Sequence, residues 1–326
     1  MARTRGTGGS GRRIGCLLGA LVAVLALVLG IGWLVGNRAS LPGGDGGPDG
    51  GPGPSPEKKA AQPADCPDVE LLAVPGTWES SPTDDPIHPS FLPNALLRTV
   101  TDPLQQKYPQ ERLRTFTVPY VAQFRNPQRP EEITYDQSRK EGTDAARAEI
   151  AATHAHCPLT SYVLVGFSQG AVIAGDLASE IGNGQGVVPP ELVRGSVLVA
   201  DGRRQPGVGQ SPGVNPGNGQ GMEIALQPAT GITQMIAGAT MTGVRPGGFG
   251  ALQDRTAEIC DSRDLICNAP ANPVDGAARF QEFLTNNAIH AQYATNPDVI
   301  TGTTVPAWTV QHVSELVDAA EQIPHN

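Results

Sequence analysis

The sequence predicts an α/β fold in which helices flank a doubly wound, mostly parallel sheet. Two observations lead to this prediction. Short apolar, β-branched segments alternate with longer segments of helical spacing, and residues 65–326 are numerous enough for one domain with a full core. In open sheets of this kind, a functional site is expected at the carboxyl ends of the strands.

Four segments have the short, apolar character of strands: residues 68–74, 113–118, 161–165 and 192–200. Five segments are predicted to be helices: residues 92–108, 136–156, 171–178, 275–287 and 308–323. Asp136 is suited to cap the second helix, and Pro103 is a possible break in the first. Strands that alternate with helices in this way predict a parallel sheet.

Residues 201–250 interrupt the alternation of predicted strands and helices. Residues 201–221 are rich in glycine and have no apolar pattern, whereas residues 222–243 contain several apolar and many small side chains. Two interpretations stay open for this segment. It forms either a lid or lipid-facing insert over the site, or a surface excursion that packs on the core.

The N-terminal region predicts a membrane anchor. Residues 1–13 contain four arginines and no acidic residue, and residues 14–36 then continue for 23 residues without a charge. At about 1.5 Å per residue, this run would form a helix of roughly 34 Å, which is enough to cross a hydrocarbon core of about 30 Å. A cleaved signal peptide is the alternative, although its apolar region is usually only about 7–15 residues long.

The flanking arginines place the N-terminus in the cytoplasm. A single-pass anchor in the cell membrane would therefore leave the rest of the chain on the extracytoplasmic side, in the cell envelope. Residues 37–64 are predicted to be a linker, since 13 of the 24 residues from Leu41 to Ala64 are glycine or proline. Such a segment buries too little surface to offset its chain entropy, so we expect a flexible tether before the domain at residues 65–326.

The distribution of charge changes near the start of the predicted linker. The part of the chain before Ala39 has five arginines and no acidic residue, whereas the remainder has 18 basic and 32 acidic residues, a formal net charge of −14. This balance argues against a nucleic-acid partner, because phosphate binding needs a basic face. A monomer is the default expectation.

Four cysteines beyond the predicted anchor indicate two disulfides and an oxidising compartment. Cys260 and Cys267 close a short loop, whereas Cys66 and Cys157 each come shortly before a predicted strand and would lie at the same end of neighbouring strands. We therefore predict the pairs Cys66–Cys157 and Cys260–Cys267, one of three possible connectivities. No metal or cofactor is predicted, since the sequence has no C-x-x-C and no paired histidine spacing near the cysteines.

The most specific motif is Gly166-Phe167-Ser168-Gln169-Gly170, a G-x-S-x-G sequence between a predicted strand and a predicted helix. A serine on so sharp a turn takes a strained backbone conformation that pushes its hydroxyl outward, while the glycines leave room for helix packing. This arrangement is the nucleophile elbow of α/β hydrolases. It predicts Ser168 as a nucleophile, with an ordinary turn as the alternative.

A nucleophilic serine needs a histidine as its base and a carboxylate to orient that histidine. In α/β hydrolases, the acid and then the histidine follow the serine along the chain. Three histidines follow Ser168: His290, His312 and His325. His325 lies beside the last residue and His312 lies within a predicted helix, which leaves His290 as the candidate base.

Two aspartates are candidates for the orienting acid. Asp261 and Asp264 both lie between Cys260 and Cys267, and a loop closed by a disulfide would hold a carboxylate rigidly. Composition does not choose between them.

Several segments together resemble the cutinase family, over most of residues 66–300. Residues 260–267 resemble the family's acid loop, in which an aspartate three residues before the second cysteine is catalytic, and this implies Asp264. The segment His290-Ala291-Gln292-Tyr293 is similar to the family's H-x-x-Y segment. Residues 166–170 are similar to its G-Y-S-Q-G elbow, with phenylalanine in place of tyrosine.

Further similarities to the family concern the oxyanion hole. Residues 75–79 resemble its oxyanion loop, where a small hydroxyl residue follows glycine, and this implies Thr77. The backbone N–H of Gln169 and the N–H or hydroxyl of Thr77 would then hold the oxyanion. The four cysteines match the two disulfides of the family, and Tyr135, Ser138 and Gly142 match a pattern in the helix before its elbow.

The anchor, the linker and the additional residues 201–250 resemble the membrane-anchored cutinase-like proteins of mycobacteria and related actinomycetes. This resemblance implies an extracytoplasmic serine esterase that hydrolyses envelope lipid esters or thioesters, with phospholipase A or thioesterase activity. Two other functions stay open: acyl transfer of the mycolyltransferase type, and lipid binding by an inactive hydrolase fold.

Overall fold

One parallel sheet lies at the centre of the computed structural model, which describes residues 60–271 and 289–326. Its five strands are β1 (Val69–Val74), β2 (Leu113–Thr117), β3 (Ser161–Phe167), β4 (Val193–Val199) and β5 (Thr256–Ile259). The strand order is β2–β1–β3–β4–β5. Since every pair is parallel, the carboxyl ends of all five strands lie along one edge, which we call the carboxyl edge.

Six α-helices occur in the described residues: α1 (Arg98–Lys107), α2 (Tyr135–His156), α3 (Gln169–Gly182), α4 (Met222–Ala225), α5 (Thr230–Ala237) and α6 (Val305–Ala319). Helices α1 and α6 cover one face of the sheet, where Leu104 and Val313 pack with Leu71 and other inward residues of the strands. Helices α2 and α3 cover the other face, where Ile150 and Ile173 pack with Leu72 and its neighbours. The predicted doubly wound α/β fold is thereby confirmed.

Local sequence signals explain where the helices begin. Thr134 caps α2, because its side chain accepts the Gln137 N–H while the Gln137 side chain accepts the Thr134 N–H. Thr304 caps α6, and Pro306 occupies its first turn, where a missing N–H costs nothing. Because crossover helices run antiparallel to the strands, α2 begins at the carboxyl edge.

The structure differs from the prediction in several elements. Thr134 rather than Asp136 caps α2, and α6 covers Val305–Ala319 rather than residues 308–323. Helix α1 begins at Arg98 rather than at residue 92, since turns occupy the residues around Pro93, and Pro103 lies inside the helix without ending it. Strand β5 was not predicted, because it is only four residues long and contains a buried glutamate, Glu258. The predicted helix at residues 275–287 lies outside the described residues.

Both predicted disulfides are present. Cys66 and Cys157 link the amino ends of the neighbouring strands β1 and β3, with their Cα atoms 5.5 Å apart. Cys260 and Cys267 close the loop that follows β5, with their Cα atoms 5.9 Å apart. Among the described residues, no helix has the length and apolar character needed to cross a membrane. The predicted anchor at residues 14–36 lies outside this part of the chain.

Candidate active site

Ser168 occupies the turn between β3 and α3, at the carboxyl edge. Its backbone has φ 54° and ψ −120°, a conformation that non-glycine residues rarely adopt and that costs about 1–3 kcal/mol. The glycines on either side permit the close packing that holds this turn. A Cβ on Gly170 would lie 1.9 Å from the Val74 carbonyl oxygen, and one on Gly166 would lie 2.3 Å from the Gly170 carbonyl oxygen.

The structure brings Ser168, His290 and Asp264 together in one chain of hydrogen bonds. His290 Nε2 lies 2.8 Å from Ser168 Oγ, and His290 Nδ1 lies 2.8 Å from Asp264 Oδ2. Asp264 is fully enclosed, whereas the His290 side chain remains 20% exposed. An imidazole between a hydroxyl and a buried carboxylate is arranged to accept the hydroxyl proton at Nε2 while its Nδ1–H stays on the carboxylate.

The two candidate aspartates have different partners. Asp264 accepts hydrogen bonds from the Tyr293 hydroxyl at 2.9 Å and from the Ile266 N–H at 3.0 Å, in addition to facing His290. Asp261 instead pairs with Arg263 at 2.9 Å and accepts from Asn296 Nδ2 at 2.8 Å. Although burial raises the pKa of Asp261, the Arg263 hydrogen bonds hold it below its usual value. Asp261 therefore stabilises the loop between Cys260 and Cys267.

The structure places the other two histidines away from Ser168. His312 stacks on Trp308 within α6, with ring centroids 4.8 Å apart, and burial lowers its pKa. His325 Nε2 lies 2.9 Å from the Cys66 carbonyl oxygen, at the amino ends of the strands. Neither is positioned to serve Ser168 as a base.

Aromatic rings hold His290 on two sides. Phe167 stacks on the imidazole with ring centroids 5.2 Å apart, and Tyr293 packs edge-on at 6.2 Å. The Tyr293 hydroxyl also accepts the Asp261 N–H at 2.9 Å, so that this buried side chain connects the acid loop to the histidine loop. Phe167, which the sequence placed in the elbow without a separate role, thus packs against the imidazole.

Two backbone N–H groups near Ser168 are available to a substrate. Gln169 is the first residue of α3, so its N–H has no partner within the helix, and Thr77 lies in the loop after β1. Within the described residues, neither N–H donates a hydrogen bond. The Thr77 loop lies against the elbow, because a Cβ on the adjacent Gly76 would be 3.3 Å from the Phe167 carbonyl oxygen.

A partly buried carboxylate, to which the sequence assigned no role, shapes this loop. Glu79 accepts hydrogen bonds from the Gly76 N–H at 3.2 Å and from the Leu96 N–H at 3.0 Å. Burial raises the pKa of Glu79 above its usual value, while these two N–H groups oppose the rise. Its position as the last residue of the oxyanion-loop motif was the only signal in the sequence, and that signal did not distinguish it from a surface glutamate.

The Gln169 side chain is held by two buried hydroxyl groups. Its amide lies 3.1 Å from Ser138 Oγ and 3.3 Å from Tyr120 Oη. Both hydroxyls already donate to backbone carbonyls, Ser138 to Val121 and Tyr120 to Pro75. They therefore act as acceptors here, which assigns the amide nitrogen to this side. Ser138, matched above only by resemblance, thus steadies the residue that follows Ser168.

Trp78, directly after Thr77, has a strained backbone. Its φ is 66°, its N–H donates to the Ala122 carbonyl at 2.5 Å, and its indole Nε1 lies 3.0 Å from the Glu132 carboxylate. Arg129 stacks over the indole ring at 4.6 Å and pairs with Glu132 at 2.9 Å. The ring remains 44% exposed beside Thr77.

A doubly wound parallel sheet with a strained serine between strand and helix, hydrogen-bonded to a histidine and an aspartate, defines an α/β hydrolase. Within that class, the cutinase family model matches residues 93–295. A carboxylesterase Culp6 homolog of Corynebacterium glutamicum is 50% identical over 258 residues, which cover 79% of this chain and 83% of the relative. The chain therefore belongs to the cutinase family.

Solved structures that resemble the chain are more distant in sequence. A cutinase-like protein from Cryptococcus sp. is 18% identical, with a TM-score of 0.49 over 80% of this chain and all of that one. An acetyl xylan esterase is 19% identical, with a TM-score of 0.44 over 77% of this chain and 99% of that one. The family assignment rests on the sequence matches.

Proposed function

We propose that this protein is a serine hydrolase that cleaves the carboxylic esters of lipids through an acyl-enzyme. The observation that carries the proposal is the pair of 2.8 Å hydrogen bonds that connect Ser168, His290 and Asp264. The close relationship to a carboxylesterase supports the same reaction class. Every group that such a reaction needs is supplied by the chain itself.

In the acylation step, His290 accepts the Ser168 proton as Oγ attacks the ester carbonyl carbon. Asp264 keeps Nδ1–H of His290 directed toward itself and stabilises the imidazolium that forms. The carbonyl oxygen, now an oxyanion, takes hydrogen bonds from the backbone N–H groups of Gln169 and Thr77. The loss of one such donor typically lowers turnover by about 10²–10³-fold.

Collapse of this tetrahedral adduct breaks the bond to the alcohol, which leaves with the proton from His290. Water then enters, His290 accepts a proton from it, and the resulting hydroxide attacks the acyl carbonyl on Ser168. The acid is released and Ser168 recovers its proton from His290. Asp264 keeps its charge throughout the cycle.

We further propose that the substrates are membrane lipids or acyl thioesters outside the cytoplasm, so that the activity is of the phospholipase A or thioesterase type. The uncharged run at residues 14–36 supports a membrane anchor, and the arginines before it support a cytoplasmic N-terminus. The two disulfides agree with this location, since they persist in oxidising compartments.

The first test is covalent labelling of the full-length protein with a lipophilic fluorophosphonate, followed by peptide mapping. We expect one adduct, on Ser168, and none in Ser168→Ala. Ser161→Ala is the matched control, because Ser161 lies at the amino end of the same strand and is expected to label like the parent protein. Absence of an adduct on folded, disulfide-bonded protein would refute the esterase proposal in favour of lipid binding without turnover.

The same preparation separates hydrolysis from acyl transfer. We expect product acid to form from a phosphatidylcholine or an acyl thioester at rates that trehalose does not change. Formation of an acylated sugar at the expense of free acid would contradict hydrolysis as the main reaction and assign the enzyme to the transferases.

A further inference from the structure

Large apolar side chains remain exposed on a single helix near the candidate site. Ile232, Met235 and Ile236 of α5 are 58, 80 and 52% exposed. Their spacing of three and four residues places them on one stripe of the helix, and this stripe faces solvent, whereas Ala237 on α5 is buried. We call these three side chains the α5 apolar face. Contiguous exposed apolar surface of this kind marks an interaction site.

Hydrogen bonds hold α5 at the carboxyl edge, where Ser168 lies. Asp136, in the first turn of α2, accepts from Gln234 Nε2 at 2.6 Å and donates its N–H to the Gly238 carbonyl at 3.1 Å. Two residues further along α2, Ser138 contacts the amide of Gln169, which follows Ser168. A single turn of α2 therefore connects the α5 apolar face to the elbow.

The chain segment that contains α5 is uncharged, although Asp136 contacts the helix from its inner side. The 21 residues between Glu223 and Arg245 contain no charged side chain, although the whole chain has a net charge of −9. Trp78, on the same edge, exposes an indole ring, a group enriched at the boundary between water and lipid. An exposed apolar stripe on an uncharged segment of an acidic protein suits a lipid assembly better than a charged macromolecule.

We propose that the α5 apolar face inserts into the surface of a lipid bilayer and thereby presents bilayer esters to Ser168. The catalytic consequence rests on the proposed esterase function, whereas the docking itself does not. The described chain starts at the opposite edge, where the Gln62 N–H donates to the Pro324 carbonyl beside Cys66. The α5 apolar face therefore lies at the edge opposite the point where the described residues begin.

The kinetic test uses the full chain reconstituted in phosphatidylcholine vesicles. The triple variant Ile232→Gln, Met235→Gln, Ile236→Gln keeps good helix formers while it removes the apolar stripe. We expect hydrolysis of 4-methylumbelliferyl oleate embedded in the vesicles to fall about tenfold or more. Hydrolysis of soluble p-nitrophenyl butyrate is expected to stay unchanged. Val214→Gln is the matched control, because Val214 is 50% exposed in the same β4–β5 connection.

The binding test does not depend on turnover. In a Ser168→Ala background, photoreactive phosphatidylcholine in the same vesicles is expected to label tryptic peptide 205–255, which contains α5, and the triple variant is expected to lose this label. Unchanged oleate hydrolysis and unchanged labelling in the triple variant would overturn the docking proposal. Crosslinking of this peptide to a second copy of the chain would overturn it in favour of a dimer interface.

The two proposals fail in different ways. If the parent protein cleaves neither ester, the esterase function fails while the labelling result still decides the docking. If the triple variant loses both esterase rates equally, the helix acts on the site itself and the docking proposal is overturned. The docking proposal is supported if the triple variant loses hydrolysis in vesicles and lipid labelling but keeps hydrolysis of p-nitrophenyl butyrate.

Discussion

Tyr293 supports the contact between the acid loop and the candidate base. Its hydroxyl donates to Asp264 Oδ2, the oxygen that faces His290 Nδ1, and accepts the Asp261 N–H. Tyr293→Phe removes the hydroxyl but keeps the ring that packs on His290. Because a hydrogen bond to a charged group contributes about 1.5–3 kcal/mol, we expect kcat to fall about tenfold or more with KM unchanged, measured with a soluble ester.

Tyr108→Phe is the matched control for this prediction. The Tyr108 hydroxyl donates to Asp318 at 2.7 Å where α1 meets α6, and neither residue belongs to the candidate site. Its removal is expected to leave kcat unchanged. An undiminished kcat in Tyr293→Phe would contradict a positioning role for the hydroxyl. The same residues show what the sequence could supply. The G-x-S-x-G motif indicated Ser168, elimination along the chain left His290, and the family resemblance selected Asp264. The contacts that separate Asp264 from Asp261, such as the one from Asn296, join residues far apart along the chain and could not be predicted.

Among the elements, β1 carries a buried acid whose ionisation opposes folding. Burial raises the pKa of Glu70 to about 7, although the Arg114 guanidinium beside it acts in the opposite direction. One of its oxygens, Oε1, has no partner among the described residues, as suits a protonated acid. Between pH 4.5, the usual pKa, and about 7, the folded state keeps a proton that the unfolded state has released. The free energy of unfolding therefore falls as pH rises through this range, by up to about 3 kcal/mol from this group.

Glu70→Gln is expected to remove this dependence of the unfolding free energy on pH. We expect the variant to gain stability relative to the parent protein as pH is raised from 5 to 8, because its amide cannot ionise while Arg114 retains Glu149 at 3.2 Å and Thr153 as partners. Urea unfolding midpoints at the two pH values provide the measurement. Identical pH dependence in the two proteins would show that Glu70 is ionised in the folded state throughout this range.

Element prediction succeeded where the pattern is strong and failed where tertiary contacts override it. Strands β1, β3 and β4 carry runs of buried, mostly apolar residues that the sequence displays directly, and β2 alternates buried with partly buried residues. Strand β5 was missed because Glu258, whose pKa is raised well above its usual value by burial, occupies a core position that a sequence pattern assigns to apolar residues. Helix α5 was not resolved within residues 222–243, since it turns its large apolar residues outward and contradicts the rule that they face the core.

At the scale of the whole molecule, buried ion pairs attach residues 201–250 to the sheet and its helices. Arg245 pairs with Asp176 of α3 at 2.9 Å and with Asp201, after β4, at 2.5 Å. Arg139 and Arg203 also pair with Asp176. Although burial raises the pKa of Asp176, the three arginines hold it at about 2. The sequence could not predict this network, because its members are up to 106 residues apart and each alone resembles an ordinary surface charge.

Arg245→Met tests whether this network holds the inserted segment in place. The variant keeps an apolar stem but leaves Asp201, which is fully buried, without its cation. Because removal of one partner from a buried ion pair costs about 3–5 kcal/mol, we expect a loss of that size in the free energy of unfolding and faster proteolysis within residues 201–250. Arg147→Met is the matched control, since Arg147 pairs with Glu180 at the surface, where both side chains are more than one third exposed. A surface pair contributes about 0–1 kcal/mol. Equal losses of unfolding free energy in the two variants would contradict the anchoring role of Arg245. A larger loss in Arg245→Met, together with faster cleavage, would show that the segment around α5 depends on buried charges for its place at the carboxyl edge.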